Sequence, residues 1–126
     1  MSLRTPLAKV RGLGSAKEGT DHFWKQRLTA VANIFLVGFL IVLLVKLAGA
    51  DHATVKHALA KPQNAIAMLL LVLSGVMHMR LGMQTIIEDY VHSEGRKVAA
   101  LMLNSFFAIL IGITCVFAVL KLSFGA

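Results

Sequence analysis

AIAMLLLVLSGVMHMRLGMQTIIEDYVH, residues Ala65–His92, is the stretch that decides the fold of this chain. Aliphatic and methionine side chains fill it far beyond one buried face of a soluble helix. Wound as an α-helix at about 100° per residue with His78 at zero, it places Leu71, Ser74, Gly75, Gly82, Thr85 and Asp89 within about 60° of that histidine. One stripe therefore carries a lone imidazole, flanked by small residues and leading to an acidic one. Small residues allow something large to approach the backbone. An ionisable side chain on such a stripe of a membrane helix is by default a candidate functional site. The competing reading is a structural histidine bonded to a neighbouring helix.

Two further apolar runs lie outward from this stretch. The uncharged segments Leu28–Val45, Pro62–Met79 and Val98–Leu120 are each long enough to cross a bilayer. They explain why 57% of the residues are hydrophobic and why the mean hydropathy is +0.75, too apolar for a soluble chain of 126 residues. The expected fold is all-α. Three transmembrane helices, over about 28–47, 64–87 and 98–121, form half of a heteromeric helical bundle. The domain plan is a basic arm over residues 1–20 and a three-helix anchor over 21–126.

The net charge of +7 does not point to nucleic acid, because six of the thirteen Lys and Arg residues precede the first span. They are Arg4, Lys9, Arg11, Lys17, Lys25 and Arg27, and a basic segment ahead of a span favours the cytoplasm. The expected topology has the N-terminus and second loop inside, and the first loop and C-terminus outside. Residues 1–27 are too polar for a secretory signal. Their basic character is shared with mitochondrial transit peptides, but a bacterial inner membrane is the expected location. The single cysteine, Cys115, allows no disulfide framework.

In chain order, residues 1–20 read as an arm ordered by a partner. Phe23 and Trp24 read as an aromatic belt, with Lys25 and Arg27 reaching headgroups. Asn33 in the first span requires a hydrogen-bond partner, since hydrocarbon supplies none. Residues 48–63 read as a loop with two solvated histidines, His52 and His57. Asn104, Ala108 and Cys115, with Gly112 beside them, form a packing seam on the third span. Phosphate-loop, dinucleotide, zinc-protease and nucleophile–base patterns are absent.

Chemistry gathers at the end of the middle helix. Asp89 lies about 16 Å along the helix from His78, and Tyr90 and His92 follow it. A phenol at the bilayer edge can donate to a carbonyl of an amphipathic ligand, with the carboxylate fixing it or relaying protons. The alternative is an interfacial tyrosine at an acidic helix end. A buried imidazole at that distance from a Tyr/Asp pair suggests a haem within the bilayer and a quinone near its surface. His22, His52, His57 and His92 are badly placed to supply the second axial ligand, so a partner subunit is expected. Arg27 is placed to meet a propionate.

Two motifs carry a family resemblance. One is Gly19-x-x-x-Phe23-x-x-x-Arg27-x-Thr29-Ala30, entering the first span. The other is His78-x-x-x-Gly82-Met83-x-x-x-x-x-Asp89-Tyr90, continued by Val91-His92. With the three-span layout they resemble the small hydrophobic membrane anchor of succinate dehydrogenase (complex II, cytochrome b556 type), over residues 19 to about 120.

The resemblance implies that His78 is an axial ligand of haem b, with the second histidine from a larger three-helix cytochrome b subunit. It implies that Tyr90 hydrogen-bonds ubiquinone with Asp89 beside it, and that Arg27 faces a propionate or the quinone pocket. FAD and iron–sulfur clusters would belong to a flavoprotein subunit and an iron–sulfur subunit, and this chain would not oxidise succinate itself. Arg80 and residues 1–18 have no counterpart in these motifs. Two rivals stay open: the anchor of a fumarate reductase working in the opposite direction, and a haem-free structural or assembly protein.

Overall fold

The computed structural model describes residues 5–12 and 18–125. The elements are α1 (Pro6–Arg11), α2 (Glu18–Leu47), α3 (His52–Ala60), α4 (Pro62–Tyr90) and α5 (Glu94–Ser123). Three of them, α2, α4 and α5, are long and apolar enough to cross a membrane. All three begin before the predicted spans, α4 and α5 also end beyond them, and α2 ends at the predicted residue 47, because polar residues such as Asp21, Lys25, Glu88 and Glu94 continue the helices past the apolar runs. Of the residues read as an arm, 6–11 form the short α1 and 18–20 start α2, while 1–4 and 13–17 lie outside the described residues.

The segment read as a loop is instead mostly helix. Leu47 closes α2, and Gly49 takes a φ of 79°. That left-handed conformation, easily adopted only by glycine, stops the helix and turns the chain. Asp51 then caps α3, accepting from the Thr54 amide at 3.1 Å. Hydrogen bonds from the Thr54 side chain and then its amide hold the Asp51 carboxyl below its usual range. Lys61 ends α3 and starts α4, with Pro62 in the first turn of α4, where its missing N–H costs nothing.

α4 is the middle of a flat row, packed against α2 on one side and α5 on the other. The contacts fix the two sides. On the α2 side, the His78 ring meets Thr29, and the Ser74 hydroxyl donates to the Thr29 carbonyl at 3.4 Å. A Cβ on Gly82 would lie 3.3 Å from Gln26 Nε2, so the bare glycine lets that side chain lie close against α4, and an added methyl would make it give by a few tenths of an ångström. On the α5 side, Asn104 Nδ2 donates to the Arg80 carbonyl at 2.9 Å, and Gly112 faces Val76. Val76 and Arg80 stand roughly half a turn round α4 from His78. α2 and α5 thus grip opposite flanks.

A row of this kind has little interior. Among the described residues only Thr29, Leu43, Ala65, Ile87 and Ala108 are buried. Large apolar side chains such as Ile34, Phe35, Leu103, Leu110 and Phe117 stand exposed along both outer helices. In water such a surface would drive aggregation, whereas in a bilayer lipid or another subunit covers it. Both small-residue seams read from the sequence, around Ser74/Gly82 and around Asn104/Ala108, are used within the chain. They join its own helices, and the surface left for a partner is the bulky apolar one.

Candidate functional site

His78 is half-buried near the middle of α4, on the flank that meets α2. Its Nδ1 lies 3.2 Å from Thr29 Oγ1. The same hydroxyl lies 2.8 Å from the Lys25 carbonyl and 3.1 Å from the Gln26 carbonyl, one turn earlier on α2. The second ring nitrogen, Nε2, makes no hydrogen bond among the described residues. The stripe of small residues beside His78 holds α2 close enough for Thr29 to reach the ring. One ring nitrogen is thus engaged with α2, and the other is without a bond among the described residues.

The face of α2 that looks toward α4 is polar near its start. His22 Nε2, Gln26 Oε1 and Asn33 Oδ1 are buried without a hydrogen-bond partner among the described residues. The partner expected for Asn33 is not supplied to this oxygen by the described residues. Below these groups a cavity of about 610 Å³ opens between α2 and α4, lined by His22, Lys25, Met77, Arg80, Gln84 and Glu88 among others. Lys25 pairs with Asp21 one turn away, and Gln84 donates to Glu88 at 2.8 Å. His22 precedes Thr29 by seven residues, about 10 Å of helix, which is too far to share one iron with His78.

Arg27 stands apart from this face. It is two residues from Thr29, about 200° round α2, so it leaves on the side away from α4. Its guanidinium lies over the Phe23 ring, 5.2 Å from the centroid, and Trp24 packs edge-on against Phe23 at 5.8 Å. The aromatic pair and the cation form one exposed cluster near the start of α2. The structure does not join Arg27 to the imidazole within this chain.

Tyr90 is the last residue of α4 and is 77% exposed. Asp89, beside it, is also exposed. Successive helix positions diverge by about 100°, and the structure holds no hydrogen bond between the two side chains. Asp89 continues the His78 stripe, whereas Tyr90 lies about 120° from it. The phenol is thus unclaimed among the described residues, at the same end of the row as the polar start of α2. His52 and His57 are exposed on α3 at the opposite end, and His92 is exposed just past α4. No group of three or more His, Cys, Asp or Glu side chains suited to a metal ion occurs among the described residues.

Thr29 and the orphaned atoms of His22 and Gln26 are what sequence reasoning missed. Thr29 sits in the first motif two residues from Arg27, which carries the more conspicuous chemistry. The signal available was position: Thr29 falls on the helix face opposite Arg27, so the two cannot serve the same neighbour.

Three spanning helices with almost no interior, one imidazole at mid-depth and a free phenol at one end define a membrane subunit built to be completed by other chains. A family model described as succinate dehydrogenase/fumarate reductase transmembrane subunit matches residues 1–117. The succinate dehydrogenase hydrophobic membrane anchor subunit of Paracoccus denitrificans is 30% identical over 122 residues, 97% of this chain and 94% of that protein. The anchor subunit of the same description from Rickettsia bellii is 29% identical over 116 residues, covering 92% and 93%. That from Rickettsia conorii is 32% identical over 89 residues, covering 70% and 71%. No solved structure matches the chain significantly. The chain belongs to the succinate dehydrogenase/fumarate reductase transmembrane subunits, among the membrane anchors of succinate dehydrogenase.

Proposed function

We propose that this anchor supplies one axial ligand of a haem b through His78 Nε2, and part of a ubiquinone site through Tyr90. The observation that carries the reading is the state of His78. It is the one histidine at mid-depth of a span, its Nδ1 is engaged by Thr29 at 3.2 Å, and its Nε2 makes no bond among the described residues. Metal-bound histidines are held in this way, with the other ring nitrogen fixed by a protein partner. A single such imidazole fits one half of a bis-histidine site. The other half then belongs to a second three-helix cytochrome b subunit, covering the exposed apolar surface of the row.

Bound there, the haem would supply a one-electron carrier inside the bilayer. The chain's own residues bind and orient. His78 holds the iron side of the site, and α2, drawn close by Ser74 and Gly82, excludes lipid from one edge of the ring. Tyr90 presents a hydroxyl to a quinone carbonyl at the membrane edge, with Asp89 close enough to exchange a proton through water. Arg27 offers its guanidinium to a propionate or to the quinone pocket from the outer side of α2.

The anchor would sit in a bacterial inner membrane with its N-terminus in the cytoplasm, as the six basic residues before Leu28 favour. Flavoprotein and iron–sulfur subunits, carrying FAD and the clusters, would dock at the end of the row that bears Tyr90. They oxidise succinate, and electrons pass to ubiquinone. This chain takes no part in the oxidation of succinate itself.

The test is the reduced-minus-oxidised spectrum of the co-expressed complex. A low-spin haem b band in the wild type and its loss or altered ligation in His78→Ala is the expected result. An unchanged band in His78→Ala would place the ligand elsewhere.

A further inference from the structure

We propose that Thr29 is a positioning residue for His78: its hydroxyl oxygen accepts the Nδ1–H, holding the ring in the tautomer whose Nε2 is bare. The inference deepens the haem-ligand reading above, and its importance to function rests on that reading. The tautomer itself does not.

Counting hydrogens decides which group donates. A threonine hydroxyl has one hydrogen to give and two lone pairs. Around Thr29 Oγ1 stand the Lys25 carbonyl at 2.8 Å, the Gln26 carbonyl at 3.1 Å and His78 Nδ1 at 3.2 Å. The nearest acceptor is the carbonyl four residues back, a frequent partner of helical threonines. With the hydrogen given to the α2 backbone, the contact with the ring is a hydrogen bond only if Nδ1 is the donor. A neutral imidazole carries one N–H, so Nε2 keeps its lone pair.

The opposite tautomer is worse placed. It would turn the Thr29 hydrogen toward Nδ1 and put an N–H on Nε2, in an apolar span with no acceptor for it among the described residues. In a span, a donor turned toward hydrocarbon finds no water to accept from it, and leaving it unpaired is costly. The bare Nε2 has a natural fate, since a lone pair in such a place is what a metal takes.

The geometry also holds Thr29 still. It is 8% exposed, and its branched Cβ restricts χ1 in a helix to states in which Oγ1 faces the preceding turn. Its carbonyl receives the Ser74 hydroxyl at 3.4 Å. One turn the other way from His78, the bare Gly82 lets Gln26 close against α4. Ser74 and Gly82 thus bracket the Thr29–His78 contact along α4, and the threonine cannot swing away without parting the two helices.

The experiment compares Thr29→Val and Thr29→Ser in the assembled, co-expressed complex. Valine keeps the branched shape and removes the hydroxyl, whereas serine keeps the hydroxyl. Two readouts are taken: the electron paramagnetic resonance spectrum with haem retention, and the 15N shifts of the His78 ring. The ring shifts are assigned by difference from His78→Ala in the reduced, diamagnetic state. Thr29→Val should loosen haem by 10- to 100-fold, the usual effect of removing such a partner, and shift the low-spin signal. Thr29→Ser should restore both. The wild-type ring should show a protonated Nδ1.

A Thr29→Val complex with wild-type signal and retention would overturn the proposal, as would an Nε2–H tautomer in the wild type. If the complex proves to hold no haem on His78, the ring shifts still decide. A protonated Nδ1 that becomes mixed in Thr29→Val sustains the tautomer assignment, while the haem reading fails separately.

Discussion

The join between α4 and α5 rests on two features that can be weighed against each other, a hydrogen bond and a close approach. Asn104 donates to the Arg80 carbonyl, and one turn later Ala108, 2% exposed, lies against α4. The Arg80 carbonyl lies in the interior of α4 and also accepts from its own helix. Asn104→Leu therefore orphans no backbone group. Its cost is the bond alone, which within membranes averages about 0.6 kcal/mol. Ala108→Leu adds three carbons at a residue only 2% exposed, and overpacking of this kind costs about 1–3 kcal/mol.

The close approach should win. The assay is the melting temperature of the purified complex, read as the fraction that elutes intact after graded heating. Ala108→Leu should lower it clearly more than Asn104→Leu, and Ile109→Leu, at an exposed neighbouring position, should leave it unchanged. A larger loss from Asn104→Leu would show that polar bonding, not fit, holds the two helices, and would refute the ranking of the two terms.

Tyr90→Phe should leave stability unaltered, because the hydroxyl makes no bond among the described residues. Quinone-dependent turnover should fall by roughly 2- to 13-fold for one lost hydrogen bond of about 0.5–1.5 kcal/mol, while succinate oxidation with a soluble dye acceptor persists. Full quinone turnover in that variant would reduce Tyr90 to an interfacial anchor. A C-terminal phosphatase fusion should be active, because three spans and a cytoplasmic N-terminus put that end outside; an inactive phosphatase beside a fluorescent C-terminal fusion would reverse the orientation.

The spans are legible in the sequence because a bilayer demands long apolar helices and little else produces runs such as Leu28–Val45. α3 is not, since its nine residues mix alanines with His52, Lys56 and His57 and show no strong apolar face. Its start has a local signal in Asp51 and Thr54, a side-chain cap three residues from the amide it bonds. The stripe through His78 is real, but a helical wheel tells which residues share a face and not what faces them. The neighbour is the chain's own α2. Thr29 stays hidden for the same reason, because the rotation of α2 relative to α4 is a property of two helices together.

Lys61 belongs to two helices at once, closing α3 and opening α4 with no residue between them to spare. The corner is braced: the Ala58 carbonyl receives Asn64 Nδ2 at 2.7 Å and the Lys61 amide at 3.4 Å. The protein therefore has no joint where the chain turns back into the membrane. α3 and α4 form a single crank, with a short arm lying across one end of the row and a long shaft down its centre. Any tilt of the shaft as the bilayer thickens or thins must sweep the short arm with it.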